Sequence, residues 1–157
     1  MRWIGFMLCL APLLVQASSE DLKVSVASGV NEPVAYKYPT DGSKYDLDLR
    51  VSHRYQAAFK DTATKQEVCR EAEYKTGLLL KLRALPKEAD GSQPVEVIGQ
   101  VSALDGISEG DRLKCGTNQV VNMSNKAFSD TVRVEPNRTK AVVIDGKYTV
   151  MLSLQLP

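Results

Sequence analysis

A two-residue alternation constrains this chain more than any other feature. From Tyr45 the odd positions read Tyr45, Leu47, Leu49, Val51, His53, Tyr55, Ala57 and Phe59, with Asp46, Asp48, Arg50, Ser52, Arg54 and Gln56 between them. Successive strand side chains point to opposite faces, so the pattern predicts one long half-buried strand, or two joined by a bulge. Shorter apolar runs follow. Residues 78–85 begin after Gly77 and stop at Pro86, residues 95–101 follow a turn-rich stretch ending in Pro94, and residues 131–135 stop at Pro136. Strands of this length, punctuated by turn chemistry, belong to sheets.

The C-terminus carries a hairpin signal. Asp145-Gly146 sits between residues 140–144 and 147–152, both rich in β-formers. Asp-Gly tolerates the positive φ of a type I′ turn, whose twist matches that of paired strands. A two-residue loop would pair Ile144 with Lys147. Val143 would then face Tyr148, Ala141 would face Val150 and Thr139 would face Leu152 on the core side. Val142 with Thr149 and Lys140 with Met151 would form a mixed outer side.

Residues 64–76 are ambiguous. Thr64-Lys65-Gln66-Glu67 matches a capping box and opens a stretch of good helix formers, which favours a short helix. Val68, Ala72 and Tyr74 fit an irregular strand equally well. The fold expected overall is all-β: an antiparallel β-sandwich, immunoglobulin-like in character, in one domain over residues 18–157.

Residues 1–17 read as a secretory signal peptide. Arg2 is followed by an apolar run over residues 3–15, and Val15-Gln16-Ala17 offers a small-residue exit before Ser18. The run is shorter than the roughly 20 residues a membrane-spanning helix needs. Leu8 before Cys9 argues against lipidation there. Removing the leader takes away Trp3, the sole Trp, so the Cys–Trp–Cys pattern of antibody domains is missing. It leaves Cys69 and Cys115, which in an exported protein most simply form one disulfide. That bridge closes a loop of about 47 residues, worth roughly 4 kcal/mol in the chain-entropy model.

Charge narrows the function classes. The whole chain has 20 Lys plus Arg against 19 Asp plus Glu, and losing Arg2 balances them. Nucleic-acid binding would call for a basic excess. No nucleophile elbow, zinc-protease motif, phosphate-cradling glycine loop or dinucleotide fingerprint is present. One His and no C-x-x-C offer too few ligands for zinc. His53, the single histidine, lies on the apolar face of its strand and lacks an orienting carboxylate and nucleophile in sequence. Asp46 and Asp48 share a strand face, which reads as solvated rather than as a catalytic pair. Residues 105–111, Asp-Gly-Ile-Ser-Glu-Gly-Asp, resemble a calcium loop only in acidity and read as a turn. No catalytic residue, metal or cofactor is therefore expected. Asn122-Met123-Ser124 and Asn137-Arg138-Thr139 are glycosylation sequons, which bear on function only in a eukaryotic host.

Residues 33–39, Pro-Val-Ala-Tyr-Lys-Tyr-Pro, stand out. Prolines at both ends cannot donate ladder hydrogen bonds, which places the strand at a sheet edge. Tyr36 and Tyr38 on one side of it are the candidate binding residues. The expected function is that of an exported, non-enzymatic protein-binding module, periplasmic or secreted, serving bacterial envelope or surface assembly. Its partner would be another envelope or secreted protein. The alternatives are a secreted hydrolase inhibitor presenting residues 105–111, or a carbohydrate-binding module stacking sugars on Tyr36 and Tyr38. A hydrolase using Asp46 and Asp48 is the remotest reading.

Overall fold

A computed structural model describes residues 20–29 and 32–155. The expected signal peptide lies outside the described residues. Eight strands follow one another: β1 (Asp21–Ser28), β2 (Val34–Pro39), β3 (Lys44–Lys60), β4 (Glu67–Ala84), β5 (Gln93–Leu113), β6 (Gly116–Val134), β7 (Thr139–Ile144) and β8 (Tyr148–Gln155). They form two antiparallel four-stranded sheets, ordered β2-β1-β8-β7 and β3-β4-β5-β6. The chain begins in the first sheet, crosses over for a four-strand meander, and returns. The fold is thus a β-sandwich with one disulfide, Cys69–Cys115.

Binary patterning builds the core. Leu22, Val24 and Val26 of β1 and Val150, Leu152 and Leu154 of β8 face Leu47, Leu78, Leu80, Leu82, Val95 and Val97 of the second sheet. Most of these side chains are fully buried, each worth roughly 1.5–3 kcal/mol relative to exposure. The proline-flanked β2 lies at an edge of its sheet, as the missing N–H groups require.

The sheets differ greatly in length. Strands of the first run 6–8 residues, whereas β3 to β6 run 17–21. At roughly 3.3 Å per residue, the strands of the second sheet extend more than twice as far as those of the first. The long strands also part company. β4 and β5 pair only from Ala84↔Val95 to Gly77↔Ser102, while β3–β4 and β5–β6 continue to their turns. Past Gly77 and Ser102 the sheet is therefore two separate hairpins. The first arm comprises residues 51–60 and 67–76, and the second comprises residues 103–113 and 116–124.

Local backbone features explain the parting. Gly77 has φ +124°, and a Cβ there would sit 2.8 Å from the Leu49 carbonyl oxygen, so β4 bends at a place only glycine fits. In β5 the register shifts between Leu104 and Gly106 and again between Glu109 and Arg112. Such bulges bend a strand and increase its twist, which carries the second arm away from β4.

Three expectations need correction. No helix occurs near residues 64–76. Thr64 to Gln66 belong to a tight loop in which the Asp61 carboxylate accepts the N–H groups of Ala63 (2.8 Å) and Thr64 (3.0 Å). Glu67 onward pairs residue by residue with β3, a ladder that overrides helix propensity. Residues 105–111 are not a turn but bulged strand within β5.

The third correction concerns the C-terminal hairpin. Asp145 (φ 49°) and Gly146 (φ 64°) do adopt positive φ. However, Ile144 pairs with Tyr148 and Val142 with Val150, so Lys147 joins the loop and the register moves by one residue. The Lys147 carbonyl instead accepts the N–H of Gly29 at the end of β1 (3.4 Å). Ile144 and Val142 consequently face the core and Val143 faces solvent, the reverse of the expected β7 faces. Tyr148, Val150, Leu152 and Leu154 keep the core face in either register.

Candidate functional site: the cleft and the first arm

Alternation carries the inner face of the second sheet past the end of the first. Leu47 and Leu80 are core, then Leu49↔Leu78, Val51↔Thr76, His53↔Tyr74, Tyr55↔Ala72, Ala57↔Arg70 and Phe59↔Val68 continue the same face along the first arm. The opposite face carries Arg54, Glu71, Glu73 and Lys75. Val51 is 61% exposed and Phe59 41% exposed, so this apolar stripe has lost its opposing sheet.

A cleft of about 560 Å³ opens where the first sheet ends. Its floor is Leu49, Val51, Thr76 and Gly77 at the base of the first arm, with Val101 to Leu104 at the base of the second. Val26 and Val34 come from the ends of β1 and β2, and Tyr148 from the start of β8. Glu32 and Lys147 set opposite charges into the lining. Mostly apolar walls with a few polar groups are the usual composition of a binding cleft.

His53 stands on the inner face of the first arm. Its Nε2 lies 2.8 Å from Thr76 Oγ1, and its ring stacks on Tyr74 at 4.9 Å between centroids. Tyr55 packs against Tyr74 at a tilt, 6.0 Å away. The result is a continuous aromatic patch. Arg70 reaches over the Phe59 ring, 5.4 Å from its centroid, near the tip of the same face.

Asp46 and Asp48 lie on the outer face. Asp48 accepts two 2.8 Å hydrogen bonds from the Arg50 guanidinium, which holds its carboxyl well below the ordinary Asp range. Asp46 sits 3.8 Å from Lys81. Both side chains reach solvent and each is matched with a cation.

Tyr36 and Tyr38 lie on the edge strand β2, paired with Val24 and Leu22 of β1. Their rings therefore turn toward the interior and pack, half-buried, against the core. They stack on each other at 6.3 Å, and Tyr38 stacks on Tyr45 of β3 at 4.5 Å, closing that side of the sandwich. Burial, and then the neighbouring Tyr36 and Tyr45 phenols, push the Tyr38 hydroxyl above its ordinary pKa. The structure does not bring these tyrosines to the cleft.

The arm tips are tied together on the outer face. Cys69 pairs with Ala58, an outward residue that is nonetheless buried, and the Cys69 sulfur is bonded to Cys115 in the β5–β6 turn. The N–H groups of Gln56 and Ala58 on the open edge of β3 donate to the side chains of Gln119 (2.7 Å) and Asn118 (3.0 Å). The Lys114 N–H donates to Glu67 (2.9 Å). Both sequon asparagines, Asn122 and Asn137, are exposed.

Among the described residues, no group of three or more His, Cys, Asp or Glu side chains is placed to hold a metal, and no helix is long and apolar enough to cross a membrane. Comparison with family models, curated proteins and solved structures finds no match to this chain.

Sequence reasoning missed the cleft. Glu32, Thr76, Leu104 and Lys147 come from four places in the chain, and only the parting of β4 from β5 assembles them. One signal was available: an alternating run of fifteen residues outlasts the five or six of an ordinary strand. A strand that long outreaches the short strands elsewhere in this chain.

Proposed function

We propose that this chain is an exported, non-enzymatic protein-binding module that seats an extended, apolar segment of a partner on the inner face of its first arm and in the cleft at the arm's base. The observation that carries this reading is the length mismatch between the sheets. It leaves Val51, His53, Tyr74, Tyr55 and Phe59 on a patterned inner face with no sheet opposite. Apolar surface rimmed by charge is a recurring mark of interaction sites. The exposed flank of such a sheet suits a segment with apolar residues at every second position.

The disulfide and the leader-like N-terminus support a periplasmic or secreted setting, and the reading places the partner among envelope or secreted proteins. His53 and the two aspartates are each engaged in contacts that leave no catalytic constellation, which supports a non-enzymatic role. Residues 105–111, which the inhibitor alternative would present as a loop, lie within bulged β5, which favours the docking-face reading.

Photocrosslinking tests the site. A photoreactive side chain at Val51 or Tyr55, exposed to envelope extract, should trap a defined partner. The same group at Glu73 on the outer face of the arm should not. Equal trapping from both faces, with wild-type stability, would remove the inner face as the docking surface.

A further inference from the structure

We infer that the Cys69–Cys115 bond is a reducible clasp: it holds the two arms together and sets the width of the cleft between their bases, while the sandwich itself does not depend on it. The meaning of the clasp for binding rests on the docking face proposed above; its mechanical role does not.

The core and the clasp lie in different parts of the molecule. Every member of the main buried cluster belongs to the first sheet or to the stretch of the second sheet that faces it, and none comes from residues 51–76 or 103–127. In those arm segments the one buried apolar residue is Ala58, beneath the bridge. Past Gly77↔Ser102 no ladder joins the arms. Among the described residues, the hydrogen bonds passing between them are the three made by Gln56, Ala58 and Lys114, each ending on a flexible side chain. Those of Gln56 and Lys114 are exposed and exchange readily with water, while that of Ala58 is partly buried. β3 and β6 also run close beside each other in the arms, but without a ladder between them, so the disulfide is the one covalent link that holds the arms at this spacing.

The bridge is also approachable. Cys115 is exposed at the β5–β6 turn. A surface cleft of about 460 Å³, with Arg54, Tyr55, Gln56 and Gln119 in its walls, opens onto Cys69. An external dithiol can act there by ordinary exchange. One of its thiolates attacks the Cys115 sulfur, forming a mixed disulfide and expelling the Cys69 thiolate, which takes a proton. The second thiolate then closes on its own partner sulfur and releases Cys115, which is protonated in turn. The dithiol leaves as a disulfide, and the protein has gained two electrons and two protons. With the tie removed, the arms are free to separate from Gly77 and the bulges outward, opening the cleft between their bases.

Hydrogen exchange on the full chain, with and without dithiothreitol under native conditions, tests the clasp. Amides of residues 51–76 and 103–124 should exchange at least tenfold faster after reduction, while residues 78–84, 93–101 and 148–155 keep their protection. Binding of the apolar dye anilinonaphthalene sulfonate should rise several-fold on reduction, and Val51→Asp should blunt that rise. The Cys69→Ser/Cys115→Ser variant should reproduce both effects without reductant. Uniform loss of protection would show that the bridge supports the whole sandwich and overturn the inference. Unchanged arm exchange or unchanged dye binding in protein shown by alkylation to be reduced would overturn it too. So would failure of excess dithiothreitol to release alkylatable thiols from the folded protein. None of these readouts involves a partner, so they fail or succeed independently of the crosslinking test of the docking face.

Discussion

Lys126 of β6 donates a 2.8 Å hydrogen bond to the Asp145 carboxylate in the β7–β8 turn, joining the two sheets beside the cleft. The lysine holds the Asp145 carboxyl below its ordinary value, and the carboxylate in return raises the lysine. A carboxyl with a depressed folded pKa contributes stability that is complete above its unfolded value, about 3.9, and is lost as the pH falls through the folded value. Asn retains the positive φ at this position but not the charge. Urea midpoints for the wild type and Asp145→Asn should differ slightly at pH 7 and draw closer together at pH 3, below the unfolded value of about 3.9. A gap of equal size at both pH values would mean that the ion pair contributes nothing.

Gly146→Val tests the turn itself. A Cβ at Gly146 meets no atom within 4 Å, so the substitution is not opposed by crowding. Its cost comes from φ at +64°, where a β-branched residue is disfavoured, and should be about 1–2 kcal/mol. A wild-type urea midpoint for this variant would show that the turn does not hold that conformation.

The same hairpin shows how far the sequence could be read. Asp145-Gly146 announced positive φ at both positions, and the alternation of Tyr148, Val150, Leu152 and Leu154 announced the core face of β8. The β7 faces are reversed because Ile144 pairs with Tyr148 rather than Lys147, whose carbonyl is taken by the Gly29 N–H of β1, some 118 positions earlier in the chain. A register shift of one residue inverts a strand, and no local signal encodes such a contact. The edge position of β2 and the partnership of Cys69 with Cys115 were legible, because proline chemistry and an even cysteine count are local or compositional. The candidate site was not, since the cleft depends on where β4 and β5 stop pairing. The glycine that permits the parting was visible, but it marked the start of a strand rather than a bend within one.

Tyr36 and Tyr38 are the binding residues the sequence suggests, yet their packing makes folding the first property their removal should affect. Tyr38 stacks on Tyr45 and covers the core beside Leu22, so Tyr38→Ser should cost about 2 kcal/mol of stability. Tyr38→Phe should be nearly neutral, because the stacking and burial survive. Thermal unfolding of the two variants decides between packing and hydroxyl chemistry. Equal melting temperatures for Tyr38→Ser and wild type would show that the ring carries no structural weight.

Gly77 is the position where fold and site meet. It stands opposite Arg50 on β3 and Ser102 on β5, at the last rung before the arms separate, and it lines the cleft. Gly77→Ala places a methyl group 2.8 Å from the Leu49 carbonyl oxygen and 2.9 Å from Arg50 Cα, both backbone atoms that cannot rotate away. It also forces an L side chain onto φ +124°, so the expected loss is about 1–3 kcal/mol. Gly106 makes an internal control, since it has no atom within 4 Å of a Cβ and no positive φ, and Gly106→Ala should leave the urea midpoint close to wild type. The backbone shift that relieves the clash at residue 77 must move β4 relative to β3. Hydrogen exchange in Gly77→Ala should therefore quicken first at residues 49–51 and 76–78, around the cleft, before the sandwich core is affected. Equal midpoints for the two alanine variants would mean that the bend at Gly77 is not required for the arms to part.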